Sequence, residues 1–534
     1  MSQLPDILGE GRRAQIAAVS FAGVGEALVV GGAVFAMRDI FAALHGKESP
    51  PMVALTTLIL AGFLVAIIRV FGRTQAERLG QSFAVSLRRN LYSHYARQSY
   101  SDLKKRRTGA LSLRFVGDLS AVRGWVSLGL PRIVTACFVL PGAAVTLSLL
   151  NSELAMATVL PIVLTILAMG LLSTLVQPFH RKLRSKRAQI AISMMERAGI
   201  APELDLMGRT PTEIKSLDEQ GIKLSKLAID RRKVYSALQM APDTGAALTG
   251  VAILWTAFAT QAPPAEAAAA LAMIGILISP LRDLAGVWDK YCAWRVARAK
   301  CEAVFSIPVF KRQFIEKSGP VEIEFDNVVL RNTSISTSIL PGEKILVSGK
   351  SGVGKSTILD LAVGLERPDS GNVRFDDSNK IPRTLSISAN APVLQGSVRR
   401  ALTLGAQQRP EDEIIEEAVD LYEFRPTLER LGGLSARIAE SARTLSEGEQ
   451  LKLHLIRAHL TKPNLIVIDT PLIFATKTFR NAIAFLISQS KATMLVACAS
   501  RVQFDFFDRN LHIMDGSVQD VQLRKPTESN LSVA

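Results

Sequence analysis

Six apolar stretches dominate the first 300 residues, and they constrain the fold more than any other feature of this chain. They cover residues 15–37, 52–71, 131–150, 154–176, 244–260 and 265–284. A helix needs about 20 apolar residues to cross the hydrocarbon core of a bilayer. The number and length of the stretches argue against helices buried in a soluble core. We therefore predict six membrane spans, the short fifth one continuing as helix on its N-terminal side.

The segments that join these stretches alternate in length and charge. Residues 151–153 and 261–264 are short and contain no Lys or Arg, whereas the segments after the second and fourth stretches are long, charged and amphipathic. The basic residues of the long segments include Arg73, Arg78, Arg88, Arg89, Lys104, Lys105, Arg106, Arg107, Arg181, Lys182, Arg184, Lys186 and Arg187. Basic loops stay on the cytoplasmic side of a membrane. The pattern predicts that both long connections and both chain termini are cytoplasmic.

The composition fits a membrane protein better than a nucleic-acid-binding protein. The net charge is +15, yet the mean hydropathy is +0.23 with 21% charged residues. Because the basic residues cluster beside apolar stretches, they more simply set the membrane orientation and meet anionic headgroups. We expect a lipid bilayer and no nucleic acid among the partners. Metal-ligand spacing is absent from the four cysteines, Cys137, Cys292, Cys301 and Cys498.

Glu26 lies in the middle of the first apolar stretch. An ionisable residue at that depth is costly and is by default a candidate functional residue. Its carboxylate could bind a cationic group of a substrate or hold a partner helix. Alternatively, it is protonated or hydrogen-bonded inside the helix bundle. The sequence identifies no partner for it, and this favours the second interpretation.

A glycine-rich motif, GKSGVGKST, occupies residues 349–357. It fits G-x-x-x-x-G-K-[ST], in which backbone N–H groups surround a phosphate, the lysine reaches the β- and γ-phosphates and the last hydroxyl binds Mg²⁺. An apolar strand, 344–348, precedes the motif and a helix, 357–363, follows it, so the positive end of that helix should face the same anion. The candidate phosphate-binding residues are Gly349, Ser351, Gly352, Gly354, Lys355, Ser356 and Thr357.

After residue 305 the chain becomes polar and alternates between strands and helices, as α/β domains do. Strands are predicted at 321–330, 344–348, 372–375, 385–388, 465–469, 493–498 and 511–514, with an acidic amphipathic helix at 411–422. The strand LIVID ends in Asp469, whose carboxylate can join Ser356 in holding Mg²⁺.

The predicted fold class is a two-domain membrane protein. An all-α six-span transmembrane domain, 1–305, is followed by a linker, 306–320, and an α/β P-loop nucleotide-binding domain, 321–520. A polar tail, 521–534, ends the chain.

A further motif, TLSEGEQ at 444–450, precedes the helix LKLHLIRAHL and the LIVID strand. With it, the chain resembles an ATP-binding cassette (ABC) half-transporter of the exporter type. The segments 76–92, 108–109, 118–120 and 366–371 are similar to that family as well. The resemblance implies ATP and Mg²⁺ as cofactors and a dimer of two half-transporters.

In such a dimer each P-loop faces the partner's signature loop, which in this chain is the TLSEGEQ motif. The resemblance implies that Ser446 and Gly448 of the signature touch the γ-phosphate in the partner's site. It also implies that the segments 108–118 and 196–207 couple the cassette to the spans. We expect a protein of the bacterial inner membrane with its nucleotide-binding domain in the cytoplasm.

The chain departs from the family pattern at the positions that hydrolyse ATP. Thr470 stands where the family has the catalytic glutamate, Ala499 where it has the switch histidine, and Ala389 where it has the glutamine that senses Mg²⁺. Asn332 replaces the aromatic residue that stacks on adenine, and 473–476 lacks the usual dipeptide. Positioned acid–base groups are typically worth about 10² to 10⁴ in rate. The chain should therefore hold MgATP and split it slowly, with no residue assigned as catalytic.

The signature keeps Ser446 and Gly448 but has Glu447 and Glu449 in place of glycine and glutamine, and acids near a phosphate are a cost. This pattern suggests a heterodimer in which a second half-transporter has an active site that this signature completes. A homodimer is the alternative.

The leading interpretation is a subunit of an ATP-driven exporter of unknown substrate. An ATP-gated regulatory membrane protein that does not pump is the alternative, and transport measured in vesicles separates the two. The six spans argue against a soluble P-loop enzyme such as a kinase, and the fusion of spans and cassette argues against an importer half.

Overall fold

The computed structural model describes residues 4–104, 114–310, 312–316, 319–331, 333–378, 380–388, 391, 393–439, 444–499, 506–514 and 516–523. The chain divides into two compact units, Met1–Ala96 with Lys105–Pro308 and Arg97–Lys104 with Val309–Ala534. The first unit is helical and the second combines helices with a large sheet. The predicted fold class, a helical membrane domain followed by an α/β nucleotide-binding domain, is confirmed.

Long helices build the first unit. They are α1 Arg13–Gly46, α2 Met52–Tyr95, α4 Leu119–Gly124, α5 Leu130–Leu150, α6 Ser152–Gly199, α7 Ala201–Leu206, α8 Thr210–Thr260 and α9 Pro264–Phe305, with α3 Tyr100–Lys104 belonging to the second unit. Two π-helical turns, Arg114–Asp118 and Trp125–Gly129, flank α4. The third apolar stretch thus belongs to a continuous helical segment, Arg114–Leu150, whose N-terminal part contains the two π-helical turns.

Five helical stretches of the described chain are long and apolar enough to cross a membrane. They are Arg13–Gly46, Met52–Tyr95, Arg114–Leu150, Ser152–Gly199 and Pro264–Phe305. These contain five of the six predicted spans. The other, 244–260, is the C-terminal end of α8, a continuous helix of 51 residues, so its N-terminal continuation is confirmed. This helix is not among the five that are long and apolar enough to cross a membrane, so the span predicted at 244–260 stays a prediction.

Asn151 shows how the sequence makes one of the tight connections. Its side chain accepts hydrogen bonds from the N–H groups of Glu153 and Leu154 at 3.0 and 3.1 Å, which caps the start of α6. An asparagine at this position satisfies N–H groups that the first turn of a helix leaves free. The chain can therefore reverse between α5 and α6 with a single residue outside the helices.

The second unit contains a mixed sheet. Its elements are β1 Ile323–Leu330, β2 Thr333–Ile339, β3 Lys344–Ser348, α10 Lys355–Ala362, β4 Ser370–Phe375, β5 Thr384–Ser388, β6 Gly396–Ser397, α11 Val398–Thr403, α12 Asp412–Leu421, α13 Arg425–Leu431, β7 Arg437–Ile438, α14 Glu447–Thr461, β8 Leu465–Asp469, α15 Lys477–Gln489, β9 Thr493–Cys498, β10 Arg509–Met514 and β11 Ser517–Gln522. Within the described residues, nine strands are ordered β4-β1-β2-β11-β10-β3-β9-β8-β5. Each of the seven predicted strands is present, and β2 and β11 are additional.

Neighbouring strands from β10 through β3, β9 and β8 to β5 are parallel. Strand β1 pairs antiparallel with β2 and with β4, β10 pairs antiparallel with β11, and β11 pairs parallel with β2. Strands β3 and β9 are buried along their whole length. One apolar cluster covers one side of the parallel strands with α11 to α15, and another covers the opposite side with α10 and β1. Parallel strands need both faces covered, and this places their carboxyl ends at one accessible edge.

The second unit also holds a short segment from the first half of the chain, Arg97–Lys104. The N–H of Tyr100 donates to the carbonyl of Leu365 at 3.0 Å, and the hydroxyl of Ser101 donates to the carboxylate of Glu366 at 2.9 Å. These contacts lie on the turn that follows α10.

Of the two segments implied to couple the domains, 108–118 falls largely outside the described residues. Its last residues form the π-helical turn Arg114–Asp118. The other segment, 196–207, spans the end of α6 and the short helix α7. Their coupling role stays a prediction.

Candidate nucleotide-binding site

The P-loop joins β3 to α10, and its glycines adopt conformations that other residues avoid. Gly349 has φ 150° and Gly354 has φ 110°. A Cβ atom on Gly349 would lie 2.7 Å from the carbonyl oxygen of Ile513, and one on Gly354 would lie 2.8 Å from Oγ1 of Thr333. Both positions require glycine because of backbone angle and space together. The loop is therefore held in a tight turn around the start of α10.

Lys355 is the first residue of α10, and its ammonium folds back over the loop. Nζ donates to the carbonyls of Gly349 and Lys350 at 2.9 Å each. The first turn of α10 contains no acid, and no side chain caps its N-terminus. The free N–H groups, the helix dipole and the ammonium all favour an anion at this point. This corner fits the phosphates of a nucleotide.

The remaining predicted positions lie at the same edge of the sheet. Ser388 at the end of β5 pairs in register with Asp469 at the end of β8, and Ser348 at the end of β3 pairs with Cys498 at the end of β9. The carboxyl ends of parallel strands are where α/β sheets bind ligands. The structure thus brings Asp469, and Ala499 after β9, to the edge from which the P-loop leaves.

Thr470 follows Asp469 and is only 4% exposed. Its hydroxyl accepts a hydrogen bond from the N–H of Leu472 at 3.4 Å and caps the 3₁₀ turn Pro471–Phe474. A threonine in this role has no carboxylate to accept a proton from water. Ala499 is exposed and equally unable to do so. Ala389 and Asn332 lie outside the described residues.

His454 on α14 is a residue that the sequence analysis did not single out. It is 3% exposed and lines, with Thr470 and Glu447, a cavity of about 30 Å³, which is room for a water molecule. Burial and the charge of Arg457 lower its pKa to about 4, although a hydrogen bond with the backbone of Ala391 raises it. Within the described chain its Nδ1 has no hydrogen-bond partner. A histidine among the leucines of LKLHLIRAHL was the available signal.

The signature loop forms the start of α14, where Ser446 is the N-cap. The carboxylate of Glu449 accepts the N–H of Ser446 at 2.8 Å and its hydroxyl at 3.0 Å. It also accepts from Arg430 at 2.7 Å and Thr427 at 2.8 Å. Burial raises the pKa of Glu449, but these hydrogen bonds outweigh it and bring the pKa to about 2. The carboxylate of Glu449 therefore provides the negative charge at the N-terminus of α14.

Gly448, the other predicted signature residue, lies in the first turn of α14. A Cβ atom there would approach the ring of Phe479 to 3.2 Å. The glycine thus leaves room for the ring of Phe479 on α15.

Two family models match the chain. The model described as ABC transporter transmembrane region matches residues 36–279, and the one described as ABC transporter matches residues 332–473, which include the P-loop and Asp469. Both halves of the chain point to the same family. The chain belongs to the ABC transporter family.

Several known proteins resemble this ABC transporter. The lactococcin-A transport/processing ATP-binding protein LcnC of Lactococcus lactis subsp. lactis is 22% identical over 73% of this chain and 58% of its own length. The chain thus spans little more than half of that relative. The ATP-dependent lipid A-core flippase of Escherichia coli (strain K12) is 21% identical over 72% of this chain and 70% of its own length.

A solved structure shares the fold of this ABC transporter. It is a bacterial Atm1-family ABC exporter with ATP bound, and the two superpose with a TM-score of 0.80 at 16% identity, over 96% of this chain and 95% of that one. The likeness shows that the two chains share a fold, a helical domain followed by an α/β domain.

In the membrane domain of this ABC transporter, the structure supplies the partner that the sequence did not identify for Glu26. Oε1 of Glu26 accepts a hydrogen bond from Nε of Arg69 at 2.8 Å and forms an ion pair with Nη2 at 2.8 Å, and Glu26 is 6% exposed. The carboxylate is therefore hydrogen-bonded inside the bundle, as in the second interpretation. Because the contact joins α1 to α2, the carboxylate also holds a partner helix, which was one role in the first interpretation. Arg69 near the end of the second apolar stretch was the missed signal.

Proposed function

We propose that this chain is the ATP-binding subunit of an ABC exporter that moves a substrate across the bacterial inner membrane. Its nucleotide domain and both termini would be cytoplasmic. The observation that carries the proposal is the P-loop corner. Lys355, three positive-φ glycines and an uncapped helix N-terminus meet there without an acid in the first turn of α10.

ATP would bind with its phosphates at this corner. Ser356, next in α10, and Asp469 at the end of β8 would hold Mg²⁺, since a hydroxyl and a carboxylate are the oxygen ligands that this ion takes. Gly349, Ser351, Gly352, Gly354 and Thr357 complete the phosphate-binding loop.

Hydrolysis at this chain's own site would be slow. Thr470 is buried as the cap of a 3₁₀ turn, and Ala499 is an alanine, so neither takes a proton from an attacking water. ATP binding and hydrolysis would then be shared with a second half-transporter that has its own catalytic glutamate. In that dimer Ser446 and Gly448 of this chain would face the partner's phosphate, and Ser446 would first have to leave Glu449.

ATPase assays test the proposal on the full chain in nanodiscs, alone and with a candidate partner half. We expect the lone chain to bind ATP with little turnover and the pair to hydrolyse it. Brisk turnover by the lone chain would contradict slow hydrolysis at this site. Thr470→Glu should raise the lone chain's rate at least about ten-fold, because a positioned base is worth about 10² to 10⁴, whereas Thr470→Gln should not.

Transport measured in sealed vesicles tests export itself. ATP-dependent accumulation of a substrate against its gradient supports a pump. ATP binding that changes passive permeability without accumulation would instead support the ATP-gated regulatory protein.

A further inference from the structure

The helical unit encloses a cavity of about 360 Å³ between α1, α2, α5 and α9. Part of its wall is small and apolar, with Ala22, Gly23, Gly72 and Ala76 among its lining residues. Its lining residues on α2, α5 and α9 lie near the predicted cytoplasmic ends of the apolar stretches 52–71, 131–150 and 265–284, whereas Glu26 lies in the middle of the stretch 15–37.

Five charged side chains line the same cavity, namely Glu26, Arg69, Arg73, Arg132 and Asp283. Ionisable residues within membrane helices are costly and mark binding sites or ion pathways. Glu26 pairs with Arg69 at 2.8 Å, and Arg132 approaches Asp283 less closely, at 3.5 Å. In the part of the chain that the structure describes, Arg73 has no ion-pair partner. Three arginines and two carboxylates leave one positive charge in excess.

The backbone around the cavity is irregular. The π-helical turn Trp125–Gly129 contributes Ser127 and Leu128 to the lining, Pro131 opens α5, and Pro280 lies inside α9. π-helical turns are rare and often occur at functional sites, and non-helical backbone at membrane depth is tolerated where it lines a cavity. The π-helical turn departs from regular helix here, and Pro280 removes one backbone N–H donor from the interior of α9.

We propose that this cavity binds the anionic head of an amphipathic ligand, a carboxylate or phosphate carried on an apolar body. Arg73 supplies the uncompensated charge, and Arg132 turns from its loose contact with Asp283 to share the anion. The apolar body lies along the wall of Ala22, Gly23 and Ala76. Glu26 is already paired with Arg69 at 2.8 Å, so the positive charge for the anion comes from Arg73 and Arg132. The inference rests on the proposed function, because it assigns this chemistry to the exported substrate.

Native mass spectrometry of the full chain released from dodecyl maltoside counts bound ligand without ATP. The probes are lauroyl lysophosphatidylglycerol, which is anionic, lauroyl lysophosphatidylcholine, which has the same chain with a zwitterionic head, and glycerol phosphate, which has no acyl chain. We expect the anionic lipid to bind at least ten-fold more tightly than the other two.

Arg73→Gln should abolish that preference. Arg73→Lys should keep it, and the matched control Arg88→Gln, on the exposed side of the same helix, should leave it unchanged. Equal losses in Arg73→Gln and Arg88→Gln, equal binding of both lipids, or equal binding of glycerol phosphate would overturn the proposal.

Retained ATP binding in each variant shows that the chain is folded. A lack of transport alongside selective, Arg73-dependent lipid binding would reject export but not the site. Transport without such binding would reject the site alone.

Discussion

The N-termini of α10 and α14 differ both in how they are capped and in their charge. At α10 a lysine lies on the positive end of the helix, with no acid in the first turn. At α14 the first turn contains Glu447 and Glu449, and Ser446 and Glu449 form a reciprocal capping box. Negative charge near the N-terminus stabilises a helix. In α14 the acids of the first turn provide it, whereas in α10 a bound anion would have to provide it.

This difference suggests separate roles for the two helices. The start of α10 would bind this chain's own nucleotide, and the start of α14 would contact the nucleotide of a partner. We expect the α10 corner to gain stability when a phosphate binds, since among the described residues Lys355 donates to two backbone carbonyls, of Gly349 and Lys350. The α14 corner must lose hydrogen bonds to Glu449 before Ser446 can meet a phosphate. We therefore expect variants at α10 to weaken ATP binding and a variant at Glu449 to strengthen it.

The largest effect should come from Lys355→Ala. Loss of hydrogen bonds to a charged group costs about 1.5–3 kcal/mol, so the Kd for ATP should rise about 10- to 100-fold. Titration of the full chain with a fluorescent ATP analogue measures it. Lys350→Ala is the control, because Lys350 contributes a backbone carbonyl to this contact and its side chain is exposed. Similar losses in both variants would contradict a specific role for Lys355.

Gly354→Ala should weaken ATP binding about ten-fold, because a Cβ at φ 110° is strained and meets Thr333 Oγ1 at 2.8 Å. Adding Thr333→Ala should recover part of the loss by removing that oxygen. Gly352→Ala, at φ 83° with open space around it, separates strain from the clash. A larger loss of ATP binding in Gly352→Ala than in Gly354→Ala would contradict the role of the clash with Thr333.

Glu449→Gln should improve the apparent affinity for ATP about three-fold at dimer-forming protein concentrations, since Ser446 is then held by a neutral group. The same titration measures it. Glu447→Gln is matched, because it removes an acid from the same turn without touching the capping box. An equal gain from Glu447→Gln would mean that general charge, rather than the cap on Ser446, sets the effect.

The smallest effect concerns acid stability. The folded pKa of Glu449 is about 2, below its ordinary value of 4.5, so its contribution is present above pH 4.5 and is lost as the pH falls towards 2. For a partly exposed carboxylate we expect about 1 kcal/mol. The difference in thermal midpoint between the wild type and Glu449→Gln should shrink between pH 5 and pH 3. A constant difference would show that the carboxylate is not ionised in the cap.

The parts of the fold that follow from local pattern were predictable. The strands 344–348, 465–469 and 493–498 occur at the predicted residues, because strands buried on both faces read as continuous apolar runs. Strands β2 and β11, TSISTSI and SVQDVQ, were missed, because their polar residues carry little of that signal. The Ser-x-x-Glu spacing of Ser446 and Glu449 predicts a capping box at the start of α14, and this feature was missed.

The membrane stretches, the P-loop and the lack of a glutamate at Thr470 and of a histidine at Ala499 can be read from residue type and spacing along the chain. The pairing of Glu26 with Arg69, the hydrogen bonds from Arg430 and Thr427 to Glu449, and the presence of Arg73 and Arg132 at one cavity become visible in the folded chain alone. Those contacts join residues far apart in the chain. They depend on how each helix is rotated against its neighbours, which hydropathy and motif spacing do not specify.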